Sequence, residues 1–256
     1  MLLIQMASAH ADKPLVLGII PYVSPDVLVQ HQKSLKDHLE RGLGKPISMV
    51  TAKNFKVFIQ NAKAGVYDLV YAPPHLAYIL EQDYAYQRVA MTTHKKRGLF
   101  IVKKTSPFKQ LSDLRHTRIA LVPALSLNSQ MARKELRGVG LKANEDYTVI
   151  KVKNFSNALF SLVNDDSDAA LSGVKPWKTF DKRYKGGLRV LAKTRIMQGF
   201  MIMAKPDLEQ DTVQKLRQLS LSFSDTSAGK KYLFKGLKLI DDKSMQNLDE
   251  FTTILK

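Results

Sequence analysis

The 256-residue chain contains no cysteine. This absence excludes disulfides, thiolate metal sites and cysteine nucleophiles. Beyond the first eleven residues, the sequence has no apolar run long enough to cross a membrane. It also lacks a Gly-x-x-x-x-Gly-Lys-Ser/Thr loop, a Gly-x-Ser-x-Gly elbow, a Gly-x-Gly-x-x-Gly motif after a strand, and closely spaced histidines. We therefore expect a protein that is not an enzyme and holds no metal or cofactor.

Acidic residues are scarce relative to basic ones. The chain has 40 Lys and Arg but only 23 Asp and Glu, which gives a formal net charge of +17. Such an excess attracts anions, either phosphate-like solutes, nucleic acid or an anionic membrane surface. The basic residues recur from Lys13 to Lys256 on polar helix faces and do not form one arm. A solvated surface explains most of them, so we expect no nucleic-acid partner.

The first eleven residues form a short apolar run that ends in Ala9-His10-Ala11. This ending suits cleavage by signal peptidase, although the basic segment of an export signal is missing. We interpret residues 1–11 as the remainder of a signal peptide, and the alternative is a frayed, weakly apolar tail. The expected mature protein is a soluble periplasmic monomer.

Strand and helix patterns alternate along the chain. The apolar run 66–71 follows Gly65 and precedes Pro73 and Pro74, which suit the first turn of a helix. A second unit of the same kind begins with the apolar run 118–122. This alternation predicts an α/β fold with mixed or parallel sheets flanked by helices.

Two extended runs, residues 98–103 and 200–205, bracket the second series of elements. If both runs cross between two lobes, the chain leaves the first lobe and later returns to it. We therefore predict two hinge crossings, with residues 12–97 plus 200–256 in lobe 1 and residues 98–199 in lobe 2. A cleft between hinged lobes is a preferred place for a small ligand.

The candidate ligand contacts lie where strands end and helices begin, because N–H groups at a helix start favour an anion. The candidates are Tyr22, Tyr71, Pro74, His75, Ser126, Asn128, Ser129 and Ser156. Secondary candidates are Leu127, Phe155 and Trp177. Trp177 lies in a basic loop, for which the alternatives are a lid or rim of the cleft and a structural anchor.

These residues also have structural explanations. The polar residues of the turn at 126–129 can simply cap a helix, the two tyrosines can be core aromatics, and His75 can be a surface histidine. Asp165, Asp166 and Asp168 lie on a turn before a strand, where aspartate is common. Acid–base catalysis would need a second group across a pocket, and the sequence does not indicate one.

Several motifs occur in a characteristic order: the opening strand through Tyr22, GVYDL at 65–69 with YAPP at 71–74, LSDL at 111–114, and DSDAA at 166–170. Together they resemble the phosphonate/phosphate-binding family of periplasmic solute-binding proteins, which feed ABC importers. The resemblance covers nearly the whole chain after residue 11. It implies a two-lobed type II fold and a small oxyanion bound by hydroxyl residues at 126–129.

The sequence departs from the family pattern at two positions. Leu127 interrupts the run of small hydroxyl residues, and Phe155 stands where many relatives have a histidine. Carboxylates or organic phosphate esters are therefore alternative ligands. The expected partner is an ABC transporter permease, or a membrane sensor if the protein serves signalling. An interaction protein for nucleic acid or anionic surfaces and an enzyme on the same scaffold are the remaining alternatives.

Overall fold

The computed structural model of the protein describes residues 13–253. The predicted signal-peptide segment, residues 1–11, lies outside the described residues. Within 13–253 the chain forms two β-sheets flanked by helices. None of the helices in this range combines the length and the apolar character needed to cross a bilayer.

The first part of the chain alternates strands with helices that bury one apolar face. The first helix begins at Pro25 after the cap residue Ser24, and it ends at Gly44, whose φ of 69° is easy for glycine. Its leucines Leu35 and Leu39 are buried at helical spacing. The elements are, in chain order, β1 Leu15–Ile19, α1 Pro25–Leu43, β2 Ile47–Val50, α2 Phe55–Lys63, β3 Leu69–Ala72, α3 Pro74–Tyr84 and β4 Gln87–Thr92.

The middle part repeats this alternation, and side-chain oxygens cap two of its helices. Ser126 accepts a hydrogen bond from the N–H of Ser129, and Asn154 accepts one from the N–H of Asn157. The elements are β5 Gly98–Lys103, β6 Arg118–Leu121, α4 Leu127–Gly138, β7 Thr148–Lys151, α5 Phe155–Val163, β8 Ala169–Gly173, α6 Val174–Thr179, α7 Lys182–Lys185 and β9 Leu188–Lys193, with a 3₁₀ turn at Leu111–Leu114.

The last part returns to the first sheet. Its long helix buries Val213, Leu216 and Phe223 on one face, as helical spacing requires. The elements are β10 Met201–Ala204, α8 Gln210–Phe223, α9 Ser227–Lys230, β11 Leu237–Lys238 and α10 Asp242–Met245, with a 3₁₀ turn at Asp249–Phe251.

The two sheets share one topology. The first has the strand order β11-β4-β10-β3-β1-β2, in which β1 is parallel to β2 and β3, and β10 is antiparallel to β3 and β4. The second has the order β7-β6-β8-β5-β9, in which β6 is parallel to β7 and β8, and β5 is antiparallel to β8 and β9. The antiparallel strand in each sheet is the first one after the chain arrives from the other sheet. The α/β class with mixed sheets that the sequence predicts is confirmed.

Each sheet carries its own apolar core. Leu17, Val70 and Ile202 are buried within the first, and Phe100 and Leu121 within the second. Strand β3 is buried along its whole length because helices cover both faces of its sheet. The helices thus hold the ends of the parallel strands in fixed positions.

Two connecting segments, residues 93–97 and 194–200, join the sheets side by side. Lys96 and Met197 exchange both backbone hydrogen bonds, at 2.8 and 2.9 Å, as an antiparallel bridge. The extended runs 98–103 and 200–205 lie largely within the sheets, as strands β5 and β10, and the connecting segments directly precede them. That these segments act as a hinge between two lobes remains a prediction.

A glycine lets the two connecting segments approach each other. A Cβ at Gly199 would collide with the Thr92 hydroxyl and with the carbonyl oxygen of His94. The substitution Gly199→Ala should therefore lower the free energy of unfolding by about 1–3 kcal/mol, since backbone cannot yield as a flexible side chain does. Urea unfolding followed by circular dichroism measures the change.

The matched control is Gly138→Ala, because an added Cβ at this helical position meets no atom within 4 Å. We expect this control to stabilise the protein by about 0.5–1 kcal/mol. Equal effects at the two positions would show that the segments are not tightly apposed.

Candidate ligand-binding cleft

A cavity of about 570 Å³ lies between the two sheets, with walls contributed by both and by the two connecting segments. The starts of several helices reach it. Phe55 of α2, Pro73 before α3, Ser126 before α4, Asn154 before α5 and Gly173 before α6 all line the cavity. The positive ends of the helix dipoles therefore converge on one space, which favours a negative ligand.

The turn that opens α4 presents two free N–H groups. The Ser126 hydroxyl accepts from the Ser129 N–H at 3.3 Å, and the buried Ser129 hydroxyl donates to the carbonyl oxygen of Val122 at 2.6 Å. The N–H groups of Leu127 and Asn128 donate to no group among residues 13–253. This turn thus holds two unused donors at the cavity wall.

The side chain of Leu127 does not weaken this turn as an anion site. It packs with Met131 and Phe251 in a small apolar cluster. The leucine that interrupts the hydroxyl run in the sequence therefore contributes its N–H at the cavity, while most of its apolar surface is buried elsewhere.

The start of α5 offers a second pair of donors. Asn154 Oδ1 accepts from the Asn157 N–H at 2.9 Å, and the N–H groups of Phe155 and Ser156 have no acceptor in the described chain. Phe155 and Ser156 both line the cavity. The phenyl ring of Phe155 is half-buried beside Gly173, where a histidine was expected from the family pattern.

Five cationic side chains line the cavity: Lys95, Lys96, Arg97, Lys153 and Lys175. No Asp or Glu is among the described residues of the wall. None of the five cations forms an ion pair with any residue in 13–253. The positive charge of the cleft is therefore uncompensated by the protein itself.

Lys96 is the most enclosed of these cations. Its Nζ lies 3.1 Å from the centroid of the Phe200 ring, a cation–π contact between the two connecting segments. Burial lowers the pKa of Lys96 to about 7. An anion placed nearby would favour the charged ammonium and raise this pKa.

Three polar side chains of the wall, Arg97 among them, have an atom without a hydrogen-bond partner or stay neutral. The Nε of Arg97 and the Oδ1 of Asn128 are buried without a hydrogen-bond partner in the described chain. Tyr22 contacts His31 Nδ1 through its hydroxyl at 3.1 Å, and burial raises the pKa of Tyr22 to about 12. The tyrosine therefore keeps its O–H and can donate a hydrogen bond.

The structure divides the residues predicted from the sequence into two groups. One group lines the cavity: Tyr22, Ser126, Leu127, Asn128, Phe155 and Ser156. The other group does not: Tyr71, Pro74, His75, Ser129 and Trp177.

Three residues of the second group are buried in the packed interior and do not reach the cavity. Tyr71 is fully buried beneath Phe200, with ring centroids 4.8 Å apart, and burial raises its pKa well above the ordinary value. Pro74 is buried as the first residue of α3. Ser129 is buried within the wall.

The predicted lid loop around Trp177 is instead the short helix α6. The indole packs onto the core of the second sheet, and the ammonium of Lys185 lies 4.8 Å from its ring centroid. The prediction of a loop was wrong because Pro176 was taken as a loop residue, whereas it occupies the first turn of a helix. The alternative role of Trp177 as a structural anchor agrees with its packing.

His75 connects elements of the two sheets. Its Nε2 lies 3.2 Å from the carbonyl oxygen of Leu125, in the turn that precedes α4. His75 is 1% exposed, so the alternative of a surface histidine is excluded. Burial lowers the pKa of His75 to about 4, and the charge of Lys96 adds to this effect.

The cations of the wall were not among the residues predicted from the sequence. The run Lys95-Lys96-Arg97 directly precedes the predicted crossing, and this position was the available signal. Lys153 precedes the cap of α5, and Lys175 lies at the start of α6. Their convergence depends on the tertiary fold and leaves no local sequence pattern.

The fold and the cavity together define a class, the two-lobed substrate-binding proteins of type II. Over residues 17–243 the chain matches the model of a family described as the periplasmic substrate-binding proteins of phosphonate ABC transporters. The chain belongs to this family. The family and the type II fold predicted from the sequence are thereby confirmed.

Solved structures share this fold. PhnD1 from Prochlorococcus marinus in complex with methylphosphonate is 17% identical with a TM-score of 0.81, covering 95% of this chain and 98% of that one. A Xanthomonas citri protein bound to ATP is 20% identical with a TM-score of 0.78, covering 94% and 96%. A binding protein component of a phosphonate ABC transporter from Pseudomonas aeruginosa is 15% identical with a TM-score of 0.77, covering 91% and 84%. At these identities the likeness establishes the fold only.

The buried His75 predicts a pH-dependent stability. In the unfolded chain its imidazole binds a proton below about pH 6.5, whereas the folded protein resists protonation until about pH 4. The stability that depends on neutral His75 is complete above about pH 6.5 and declines as the pH falls toward 4. Lowering the pH from 7 to 5 should remove about 2 kcal/mol through this group.

The substitution His75→Gln removes the titration and keeps a hydrogen-bond donor for Leu125. Urea unfolding of both proteins at pH 7 and pH 5 should show a smaller loss of stability in the variant than in the wild type. If the variant loses as much stability as the wild type between these pH values, His75 is not the responsible group.

Proposed function

We propose that this protein is a non-catalytic periplasmic receptor that closes around a phosphonate- or phosphate-type oxyanion and delivers it to an ABC importer. One observation carries the proposal. Four free N–H groups from α4 and α5 and five unpaired cations surround the same cavity, whose described wall has no carboxylate. An oxyanion supplies the acceptors and the negative charge that this arrangement lacks.

Binding would proceed by closure about the connecting segments. The first sheet contributes Tyr22 and the second contributes the N–H groups of α4 and α5, so a ligand in the cavity has partners on both sides. A ligand favours closure only through contacts that are better in the closed state. Exclusion of water would strengthen each charge-assisted hydrogen bond.

The relatives support a phosphoryl-type ligand. The Prochlorococcus marinus structure holds methylphosphonate and the Xanthomonas citri structure holds ATP, and both ligands carry tetrahedral phosphorus oxyanions. The family, whose members serve ABC transporters, supports delivery to a membrane permease. The position of the unpaired cations inside a cleft disfavours the alternative of a nucleic-acid surface.

Calorimetric titration with methylphosphonate, inorganic phosphate, phosphite and sulfate tests the proposal. At least one phosphorus oxyanion should bind the wild-type protein, and added salt should weaken the interaction. Absence of heat with all four anions would remove the oxyanion assignment while leaving the fold unaffected.

The variant Asn128→Ala tests the turn before α4. A monoprotonated phosphoryl group can donate to the buried Oδ1 of Asn128 and accept from its Nδ2, so the variant should bind the responding anion about five- to tenfold more weakly. The control is Asn157→Ala, because Asn157 is an exposed residue in the first turn of α5 that does not line the cavity. Equal affinities for the two variants would contradict a role for Asn128.

A further inference from the structure

The charge and the wall residues of the cavity indicate a class of ligand that is narrower than small oxyanions in general. Resting on the function proposed above, we propose that the cleft selects an organic phosphate or phosphonate with several negative charges, an apolar body of aromatic size and no ammonium group. Three properties of the cleft support this assignment independently.

The first property is the amount of unpaired positive charge. Five basic side chains line the cavity without an acidic partner in the described chain, and only Lys96, whose pKa is lowered to about 7 by burial, carries a partial charge at neutral pH before an anion binds. A single phosphoryl group carries at most about two negative charges at neutral pH. The cations also influence residues across the cleft. Burial is the main cause of the lowered pKa of His31 in α1, and the charge of Lys175 in α6 lowers this pKa further. A ligand with more than one anionic group matches this charge better than a monophosphonate.

The second property is the absence of any carboxylate on the described wall. A ligand that carries an ammonium group needs an anionic or carbonyl partner for it. Here the ammonium would lie among like charges, at a cost that grows as water is excluded. Aminoalkyl phosphonates are therefore poor ligands for this cleft, although they share the anionic group.

The third property is the apolar part of the wall. Tyr22, Phe55, Phe155, Phe200 and Phe234 all line the cavity. Two of them, Phe55 and Phe155, are half-buried first residues of α2 and α5, so each sheet contributes an aromatic side chain. A volume of about 570 Å³ is typical of sites for ligands much larger than methylphosphonate. Burial of an aryl group against these rings would add to the affinity.

Matched pairs of ligands separate the three properties in calorimetric titrations of the wild-type protein. Pyrophosphate and phosphate differ in charge, and phenylphosphonate and methylphosphonate differ in the size of the apolar group. Propylphosphonate and 2-aminoethylphosphonate have nearly the same shape, but only the second carries an ammonium group. Adenosine diphosphate combines a double anionic group with a planar apolar body. We expect the first member of each pair to bind at least about tenfold more tightly, and adenosine diphosphate to exceed phenylphosphonate.

Variants locate the effect in the cleft. The exposed residues Lys153 and Lys175 can be replaced together by glutamine without loss of a buried contact. This double variant should lose at least about tenfold in affinity for adenosine diphosphate and less for methylphosphonate. The control is the double replacement of Lys104 and Lys215 by glutamine, which removes the same charge from exposed positions outside the cavity.

The possible outcomes distinguish this inference from the proposed function. If methylphosphonate binds as tightly as phenylphosphonate and adenosine diphosphate, or 2-aminoethylphosphonate as tightly as propylphosphonate, the inference is overturned and the oxyanion receptor stands. If none of the compounds binds, the proposed function is overturned as well. Equal losses in the two double variants would show that net charge, and not the cleft, determines the affinity.

Discussion

The backbone pairing of Lys96 with Met197 is the interaction on which the site depends. It holds the two connecting segments side by side at the base of the cleft, so each sheet begins its antiparallel strand from a fixed point. The same pairing places the Lys96 ammonium over the Phe200 ring and inside the cavity. A half-buried cation without a carboxylate partner is unfavourable by itself. Burial accordingly lowers the pKa of Lys96 to about 7, so the amine is only partly charged at neutral pH in the absence of an anion.

The shared topology of the two sheets explains why so many helix starts meet. In each sheet, parallel strands are followed by helices, and the first residues of α2, α4, α5 and α6 line the cavity. Ser126 and Asn154 occupy equivalent positions, before α4 and α5, and each caps the third helical residue while leaving the first two N–H groups unused. Capping and ligand binding are therefore compatible at one turn, because they use different donors.

Local sequence predicts the elements of this protein better than its site. Short buried strands, cap residues and the paired prolines before α3 carry their information within a few residues, so the fold class and the order of elements follow from them. Ser126 and Asn128 were also predictable, since a helix start after a buried strand has a known preference for anions. Tyr71 and His75 were wrongly predicted to line the cleft. Nothing in the sequence shows that Phe200, far along the chain, covers Tyr71 or that the turn at Leu125 contacts His75. Lys153 and Lys175 were missed for the same reason.

The close contact at Gly199 restricts how the two connecting segments can move relative to each other. Segments this near to each other, with a hydrogen atom in place of a side chain, permit a small rotation but little sliding. Under the hinge motion proposed above, the two segments would form a pivot, and displacement would increase with distance from it. Lys96 lies within this pivot, so its side chain would keep nearly the same position in the open and the closed state. Its amine would then contact a bound ligand in both states, whereas groups farther from the pivot would contact the ligand fully only after closure.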